Sequence, residues 1–327
     1  MTIHPSLIFL GGLVIITLGA EFLLRGASTM AAMLGIRPII IGLTVVSVGT
    51  SLPELAVGIT AVSEDKGALA IGNIAGTNVL NILFILGLSA ALRPLPLQMR
   101  TMRLNVIVMI ITAVLLIVMS LDGRLSRLEG IIMVACSVLY ILIVIRASSK
   151  ETASVRKEFA EEFSPVVLVE KRGWKIWVLN IVFLLGGMAL TMLGANLLVS
   201  GATSIAQAMG VSDAVIGLTI VAIGTSAPEL ATTIMATIKN DRDVAIGNLI
   251  GSSISNVLVI LGFTCVAAAD GVDVSDDILW FDLPLAAAVA IVCYPVFRSG
   301  SRVSGFEGIL FVSAYLVYLF SLVYLRA

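Results

Sequence analysis

The sequence has little of what soluble catalytic domains are built from. Of its 327 residues only 13% are charged and 6% aromatic, and there is one histidine, His4. Soluble domains carry about 25% charged residues. A single histidine excludes a histidine-based proton relay or metal site. Because 20 basic and 21 acidic residues nearly cancel, the charge balance gives no indication of a nucleic-acid partner.

Cysteine is also scarce. Cys136, Cys265 and Cys293 lie far apart, each in an apolar segment. None has the spacing of a metal-binding motif, so we expect buried, inert thiols. No feature indicates a cofactor or an obligatory protein partner.

What the chain does have is apolar sequence, with 59% hydrophobic residues and a mean hydropathy of +1.10. A helix needs about 20 mostly apolar residues to cross a bilayer. The sequence therefore predicts an all-α polytopic membrane protein of ten spans, with the lipid bilayer as its surroundings. The first apolar run precedes Arg25, the wrong charge order for a cleaved signal peptide, so we keep it as a membrane helix. The spans are near 6–24, 38–62, 69–91, 104–120, 129–146, 176–199, 211–238, 244–269, 280–297 and 305–325.

The basic residues predict the orientation of these spans. If the N-terminus faces outward, the loops after odd-numbered helices hold 16 of the 20 Lys and Arg residues. Cytoplasmic loops carry such an excess, so we expect both termini outside and the 146–175 loop in the cytoplasm. The plasma (inner) membrane of a prokaryote fits the compact length and the absence of a targeting segment.

The two halves of the chain repeat each other. At an offset of 175, residues 40–89 align without gaps to residues 215–264, and 24 of the 50 pairs are identical. With five spans per half, the second half enters the membrane inverted, an architecture typical of transporters whose site lies between the halves. The predicted organisation is a first repeat at 1–146, a connecting loop at 147–175 and a second repeat at 176–327.

The best-matched segments are also the polar ones. In the second and seventh spans, side chains three, four and seven residues apart share one helix face. Pro53 and Pro228 lack an N–H, which frees a carbonyl four residues earlier and predicts a broken helix. Bare carbonyls at bilayer depth occur only where they are buried in protein or line a cavity. These faces are formed by Ser47, Thr50, Ser51 and Glu54 and by Thr225, Ser226 and Glu229.

The third and eighth spans supply a second polar wall, at positions i, i+4 and i+8. Gly72 and Gly76, like Gly247 and Gly251, predict close helix approach beside it. The wall residues are Asn73, Thr77 and Asn81, and Asn248, Ser252 and Asn256.

Two intramembrane carboxylates, Glu54 and Glu229, have no Lys or Arg within their spans. An ionised carboxylate at the bilayer centre costs about 2.5–3.5 kcal/mol or more. Two of them balance one Ca²⁺, two Na⁺ or two protons, and Ca²⁺ takes six to eight oxygen ligands. The residues thus predict a cation antiporter. Glutamates that merely join helices, a passive channel and a membrane-embedded enzyme are the alternatives, and the enzyme lacks an intramembrane histidine.

These motifs resemble those of the cation/calcium exchanger superfamily, which includes the sodium/calcium exchangers. Each Gly-Thr-Ser-Xaa-Pro-Glu segment is followed by a helix that contains the pattern Gly-Asn-Xaa-Xaa-Gly-Ser/Thr. The resemblance implies Na⁺/Ca²⁺ antiport, with the first and sixth helices sliding against the other helices. It implies side-chain ligands for Ca²⁺ and Na⁺ at Thr50, Ser51, Glu54, Thr77, Asn81, Thr225, Ser226, Glu229, Ser252 and Asn256, and carbonyl ligands near Ser47 and Ala222.

One position departs from the family pattern. Several members, including potassium-dependent ones, have an aspartate where this chain has Asn256. Two carboxylates instead of three argue against potassium dependence and keep H⁺/Ca²⁺ antiport open as the alternative. Outside the motifs, Glu21 stands four residues before Arg25, which predicts a local ion pair. Asp213 and Asp282 stand where helices are expected to begin and are interpreted as N-caps.

Overall fold

The described part of the chain folds into a bundle of helices. The computed structural model describes residues 4–34, 36–96, 99–149, 174–210, 220, 222–298 and 300–326. Within these residues the helices are α1 (Pro5–Leu34), α2 (Pro38–Thr50), α3 (Leu52–Ser63), α4 (Gly67–Leu92), α5 (Met99–Met119), α6 (Arg127–Ser149), α7 (Trp174–Ala208), α8 (Ala222–Thr225), α9 (Ala227–Ile238), α10 (Arg242–Ala267), α11 (Ile278–Arg298) and α12 (Gly305–Arg326). The strands are β1 (Leu95–Pro96), β2 (Arg124–Leu125), β3 (Val272–Asp273) and β4 (Arg302–Val303).

Eight of the described helices are long and apolar enough to cross a membrane, and α2 and α3 form a ninth candidate bent by 40° at its break. These nine correspond to predicted spans. Of the predicted seventh span the structure describes only residue 220 and residues 222–238, in α8 and α9. Residues 150–173, most of the predicted connecting loop, lie outside the described part of the chain.

The first and sixth spans are much longer than expected. Helix α1 has 30 residues and α7 has 35, about 45 Å and 52 Å at 1.5 Å per residue, against a hydrocarbon core of about 30 Å. The apolar run around residues 6–24 stops at Glu21 and Arg25, but the helix continues through Gly26 because α7 packs along it.

Helices α1 and α7 form an antiparallel pair through glycines spaced seven residues apart. A Cβ atom added at Gly12 would lie 2.5 Å from the backbone nitrogen of Leu198, and one added at Gly194 would lie 2.3 Å from that of Ile16. The backbones are therefore in direct contact. The same holds for Gly19 and Gly26 on α1 and for Gly187 and Gly201 on α7.

The centre of the bundle is formed by α4 and α10. In their most apolar windows 67% and 83% of residues are buried, whereas the other long spans have 17–44%. The outer helices carry exposed leucine, isoleucine, valine and phenylalanine side chains along their length. Such surfaces suit lipid, so the polar residues of α4 and α10 lie inside a shell of apolar helices.

Two small ribbons tie the loops together. Strand β1 pairs with β4, and β2 pairs with β3, both antiparallel. The first ribbon joins the loops that follow the third and ninth predicted spans, and the second joins those that follow the fourth and eighth. Paired loops must lie on the same side of a membrane, so odd-numbered loops meet odd ones and even-numbered loops meet even ones.

Two smaller predictions are wrong. Glu21 pairs with Lys239, at 2.6 Å between Oε1 and Nζ, and Arg25 instead lies over the Phe183 ring at 5.2 Å. Glu21 pairs with the distant Lys239 because α9, which Lys239 follows, ends beside α1. Asp282 is no N-cap, because α11 begins at Ile278 and Asp282 lies inside it. Asp213 lies outside the described residues.

Candidate functional site

Each of the two Gly-Thr-Ser-Xaa-Pro-Glu motifs coincides with a helix break. Ser51 interrupts the second span with φ −86° and ψ 10°, and Ser226 interrupts the seventh with φ −90° and ψ 10°. Pro53 and Pro228 occupy the second positions of α3 and α9, where a missing N–H costs no helical hydrogen bond. The predicted broken helices are therefore confirmed, and both motifs break in the same way.

The breaks place both glutamates in the first turn of a new helix. Glu54 lies in α3 and Glu229 in α9, and both side chains are 0% exposed. A helix N-terminus carries free N–H groups and about half a positive charge. This partial charge favours a carboxylate there, yet it does not balance a full negative charge.

The two motifs meet through crossed hydrogen bonds. The Ser51 hydroxyl donates to Glu229 Oε1 at 2.9 Å, and the Ser226 hydroxyl donates to Glu54 Oε1 at 3.3 Å. Each glutamate is thus held by the serine of the other half of the chain. Residues 178 and 172 positions apart form one buried cluster.

Helices α4 and α10 close this cluster from the other side. The Ser226 hydroxyl lies 3.4 Å from that of Thr77, and the Ser252 hydroxyl donates to the Ser47 carbonyl oxygen at 3.4 Å. The carbonyl of Ser47 therefore faces the cluster. Thr50 donates to Asn248 Oδ1 at 3.3 Å.

Two other predicted residues are positioned by the second helix break. Thr225 is the last residue of α8 and directly precedes the break at Ser226, and Ala222 begins α8. Their places along the chain match those of Thr50 and Ser47 in the first motif.

Asn81 and Asn256 lie where the central helices widen. The segments Leu80–Leu86 and Asn256–Leu261 are π-helical, a distortion frequent at functional sites. The first packs against α9, which carries Glu229, and the second against α3, which carries Glu54. Each asparagine is 0% exposed.

Several polar atoms of this cluster have no hydrogen-bond partner among the described residues. They are Glu54 Oε2, Glu229 Oε2, both amide atoms of Asn81, and Asn256 Oδ1. A buried unsatisfied polar atom costs about 1–3 kcal/mol. Oxygens left in this way are suited to bind a cation, and carboxylate, amide, hydroxyl and carbonyl oxygens are the ligands of Ca²⁺ and Na⁺.

The cluster carries two carboxylates and otherwise neutral groups. Among the residues that the structure describes, no group of three or more His, Cys, Asp or Glu side chains comes together. The negative charge available to a bound cation therefore comes from Glu54 and Glu229.

The glycine predictions have different outcomes in the two halves. A Cβ atom at Gly247 would lie 2.6 Å from the Ile39 carbonyl, and one at Gly251 would lie 2.7 Å from Leu43 Cα. Close approach of α10 and α2 is thus confirmed. Gly76 has no such neighbour among the described residues. Residues 211–219, which the repeat places opposite it, are not described, so that half stays a prediction.

Three polar residues beyond the predicted ligands join the cluster. Asn248 Nδ2 donates to Thr233 Oγ1 at 3.3 Å, and Asn78 bonds to Asn256. Asn248 was predicted to belong to the polar wall, on the same helix face as Ser252. Asn78 was predicted to lie beside this wall, although not as a partner of Asn256. Thr233 was missed because its counterpart in the repeat is Gly58, so no shared pattern marks it.

Comparison with known proteins finds sodium/calcium exchangers and a putative antiporter among the relatives of this chain. The profile of the family described as "Sodium/calcium exchanger protein" matches residues 4–146 and 179–324. The sodium/calcium exchanger MaX1 of Methanosarcina acetivorans is 32% identical, with 98% of each chain covered. The putative antiporter CaxA of Alkalimonas amylolytica is 33% identical over 96% of this chain and 97% of that one. A solved structure of the sodium-calcium exchanger NCX_Mj, soaked with Na⁺ and Sr²⁺, superposes with a TM-score of 0.81 at 27% identity and covers 97% of this chain and 98% of its own.

Proposed function

Because the chain belongs to the sodium/calcium exchanger family, a family of ion transporters and not of enzymes, we propose that it exchanges Na⁺ for Ca²⁺ across the membrane at Glu54 and Glu229. The observation that carries this proposal is the buried pair of carboxylates. Each is bonded through Oε1 to the serine of the other motif, and each has an Oε2 atom without a partner among the described residues.

The cargo follows from charge and ligand type. Two carboxylates neutralise one Ca²⁺ or two Na⁺, and the hydroxyl, amide and carbonyl oxygens around them complete the coordination of either ion. Because the same oxygens serve both ions, binding of one excludes the other, which is the requirement for antiport. We assign the side chains of Thr50, Ser51, Glu54, Thr77, Asn81, Thr225, Ser226, Glu229, Ser252 and Asn256 and the carbonyls of Ser47 and Ala222 to this shared site.

The proposal includes ten spans in two inverted repeats. The family profile matches twice, and its two starting residues, 4 and 179, differ by the same 175 positions that relate the two motifs. The ribbons β1–β4 and β2–β3 join loops of equal parity, which strict alternation of ten spans requires. Inversion places the two glutamates on opposed helices at one depth.

Alternating access would come from the long pair α1 and α7. Their glycines hold the two backbones in contact along most of their length, so the pair moves as one body. Met188 and Val199 of α7 lie against Gly49 and Gly224, at both motifs. Sliding the pair would therefore open one motif while it covers the other.

For location, we propose the plasma membrane with both termini outside, as the basic residues predict. The inner membrane protein YrbG of Escherichia coli, 32% identical over 80% of this chain, supports the choice of membrane. The lipid bilayer and the ions Na⁺ and Ca²⁺ are the proposed partners.

The test separates Na⁺ from the alternative counter-ion H⁺. Purified protein is reconstituted into liposomes loaded with Na⁺, and uptake of ⁴⁵Ca²⁺ is measured after dilution into Na⁺-free buffer at equal pH on both sides. We expect Ca²⁺ uptake that requires the Na⁺ gradient. Uptake that follows an imposed pH gradient and ignores Na⁺ would replace this proposal with H⁺/Ca²⁺ antiport, and uptake without either gradient would indicate a channel.

A further inference from the structure

Asn78 makes two hydrogen bonds that fix how Asn256 faces the proposed site. Its Nδ2 donates to the backbone carbonyl of Ser253 at 3.2 Å, and its Oδ1 accepts from Asn256 Nδ2 at 3.0 Å. Asn256 Oδ1 is buried and has no partner among the described residues. The chain of contacts thus runs from a backbone carbonyl, through one amide, to a second amide.

The chemistry of the groups determines which of them donates and which accepts in these two hydrogen bonds. A backbone carbonyl only accepts hydrogen bonds, so Asn78 must turn its NH₂ group toward Ser253. Its Oδ1 then faces Asn256, which must present an N–H in return. The Asn256 oxygen is left without a partner among the described residues, in a segment that packs against α3, the helix that carries Glu54.

Among the described residues, the symmetry-related positions make no equivalent set of hydrogen bonds. By the 175-residue offset, Asn81 corresponds to Asn256 and Ser253 to Asn78. The Ser253 hydroxyl donates to Leu249 O in its own helix at 3.0 Å. Both amide atoms of Asn81 are without a partner among the described residues, so the orientation of Asn81 is not imposed from outside the site.

We propose that Asn78 is a positioning residue that holds Asn256 Oδ1 toward the transported cation and requires a hydrogen-bond donor at position 256. The proposal rests on the ion site described under the proposed function. An ionised carboxylate at position 256 would place an oxygen against Asn78 Oδ1 with no proton between them. Asn78 thereby disfavours a third ionised carboxylate at the site and makes its two halves unequal.

The test is a double-mutant cycle on Ca²⁺ affinity, measured by calorimetry on purified full-length protein in Na⁺-free detergent buffer. Asn78→Ser introduces the residue that the repeat itself has at position 253, so the helix should tolerate it. Asn78→Leu is the second variant, and thermal unfolding without Ca²⁺ checks that each variant folds. We expect Asn78→Ser to lower Ca²⁺ affinity about five- to tenfold, the value of one hydrogen bond. In an Asn256→Ala background it should change nothing.

Tyr140→Phe is the matched control. Tyr140 donates to Asn105 Oδ1 at 3.0 Å, so this change also removes a buried hydrogen bond between helices, at a place outside the ion cluster. It should leave Ca²⁺ affinity unaltered. An equal loss from Asn78→Ser in both backgrounds, or no loss in either, would overturn the positioning role. A wild-type protein that binds no Ca²⁺ would instead overturn the proposed function, and the inference with it.

Discussion

The glycine contact between α1 and α7 gives a sharp prediction, because each helix contains its own control. Gly186 and Gly187 are adjacent, yet a Cβ atom at Gly186 meets no atom within 4 Å among the described residues, whereas one at Gly187 would lie 2.3 Å from the backbone nitrogen of Leu23. Alanine at position 186 should therefore act only through helix propensity, and alanine at position 187 must push the helices apart.

The two substitutions have opposite expected signs. Glycine in a helix interior costs about 0.5–1 kcal/mol relative to alanine, so Gly186→Ala should raise stability slightly. Gly187→Ala gains the same amount, but contacts below about 3.4 Å require α1 to move by roughly 1 Å, and overpacking of this kind costs about 1–3 kcal/mol. Its net effect should be destabilising by up to about 2.5 kcal/mol.

The assay is thermal unfolding of both variants in the same detergent, followed by Ca²⁺ transport in liposomes. Gly186→Ala should unfold at or above the wild-type temperature and transport normally. Gly187→Ala should unfold earlier and transport more slowly. Equal unfolding temperatures for the two variants would refute the direct backbone contact. Gly11→Ala and Gly12→Ala on α1 repeat the comparison, since Gly11 is open and Gly12 is not.

Three further predictions concern single contacts. Ser51→Ala removes a hydrogen bond to Glu229 and should lower Ca²⁺ affinity about 10- to 100-fold. Ser63→Ala, on the exposed end of α3, is the control and should leave the Ca²⁺ binding isotherm unchanged. Similar isotherms for both variants would contradict the shared cluster. Asn256→Asp should retain Ca²⁺ binding but alter ion coupling, and flux with unchanged dependence on Na⁺, K⁺ and pH would show that this position does not set the coupling. Lys239→Met breaks the ion pair with Glu21, whose side chains are 41% and 46% exposed. The free energy of unfolding should therefore change by less than about 1 kcal/mol. A larger loss of stability in chemical denaturation would mean that the pair holds α1 in place.

Much of the site follows from the sequence because its chemistry is unusual for a membrane. In each motif a proline precedes a glutamate, and hydroxyl residues stand at helical spacing before them. This pattern predicts the helix breaks at Ser51 and Ser226, and it predicts the same role for Glu54 and Glu229. The repeat then predicts that the two motifs face each other. The crossed bonds from Ser51 and Ser226 follow from that arrangement.

The rest depends on partners that are distant in the sequence. Glu21 has a plausible partner at Arg25, and only the packing of α9 against α1 selects Lys239 instead. The lengths of α1 and α7 exceed their apolar runs because glycine contacts continue past the charged residues. Asn78 has a role that the repeat obscures, since Ser253 at the equivalent position bonds within its own helix.

The central claim is that Glu54 and Glu229 form one cation site. Its most direct test is Na⁺-gradient-driven ⁴⁵Ca²⁺ uptake by liposomes that contain equal amounts of wild-type protein, Glu54→Gln and Glu229→Gln. Glutamine keeps the size of the side chain and removes its charge, so each variant should insert normally and transport no Ca²⁺. Normal uptake by either variant would contradict the claim.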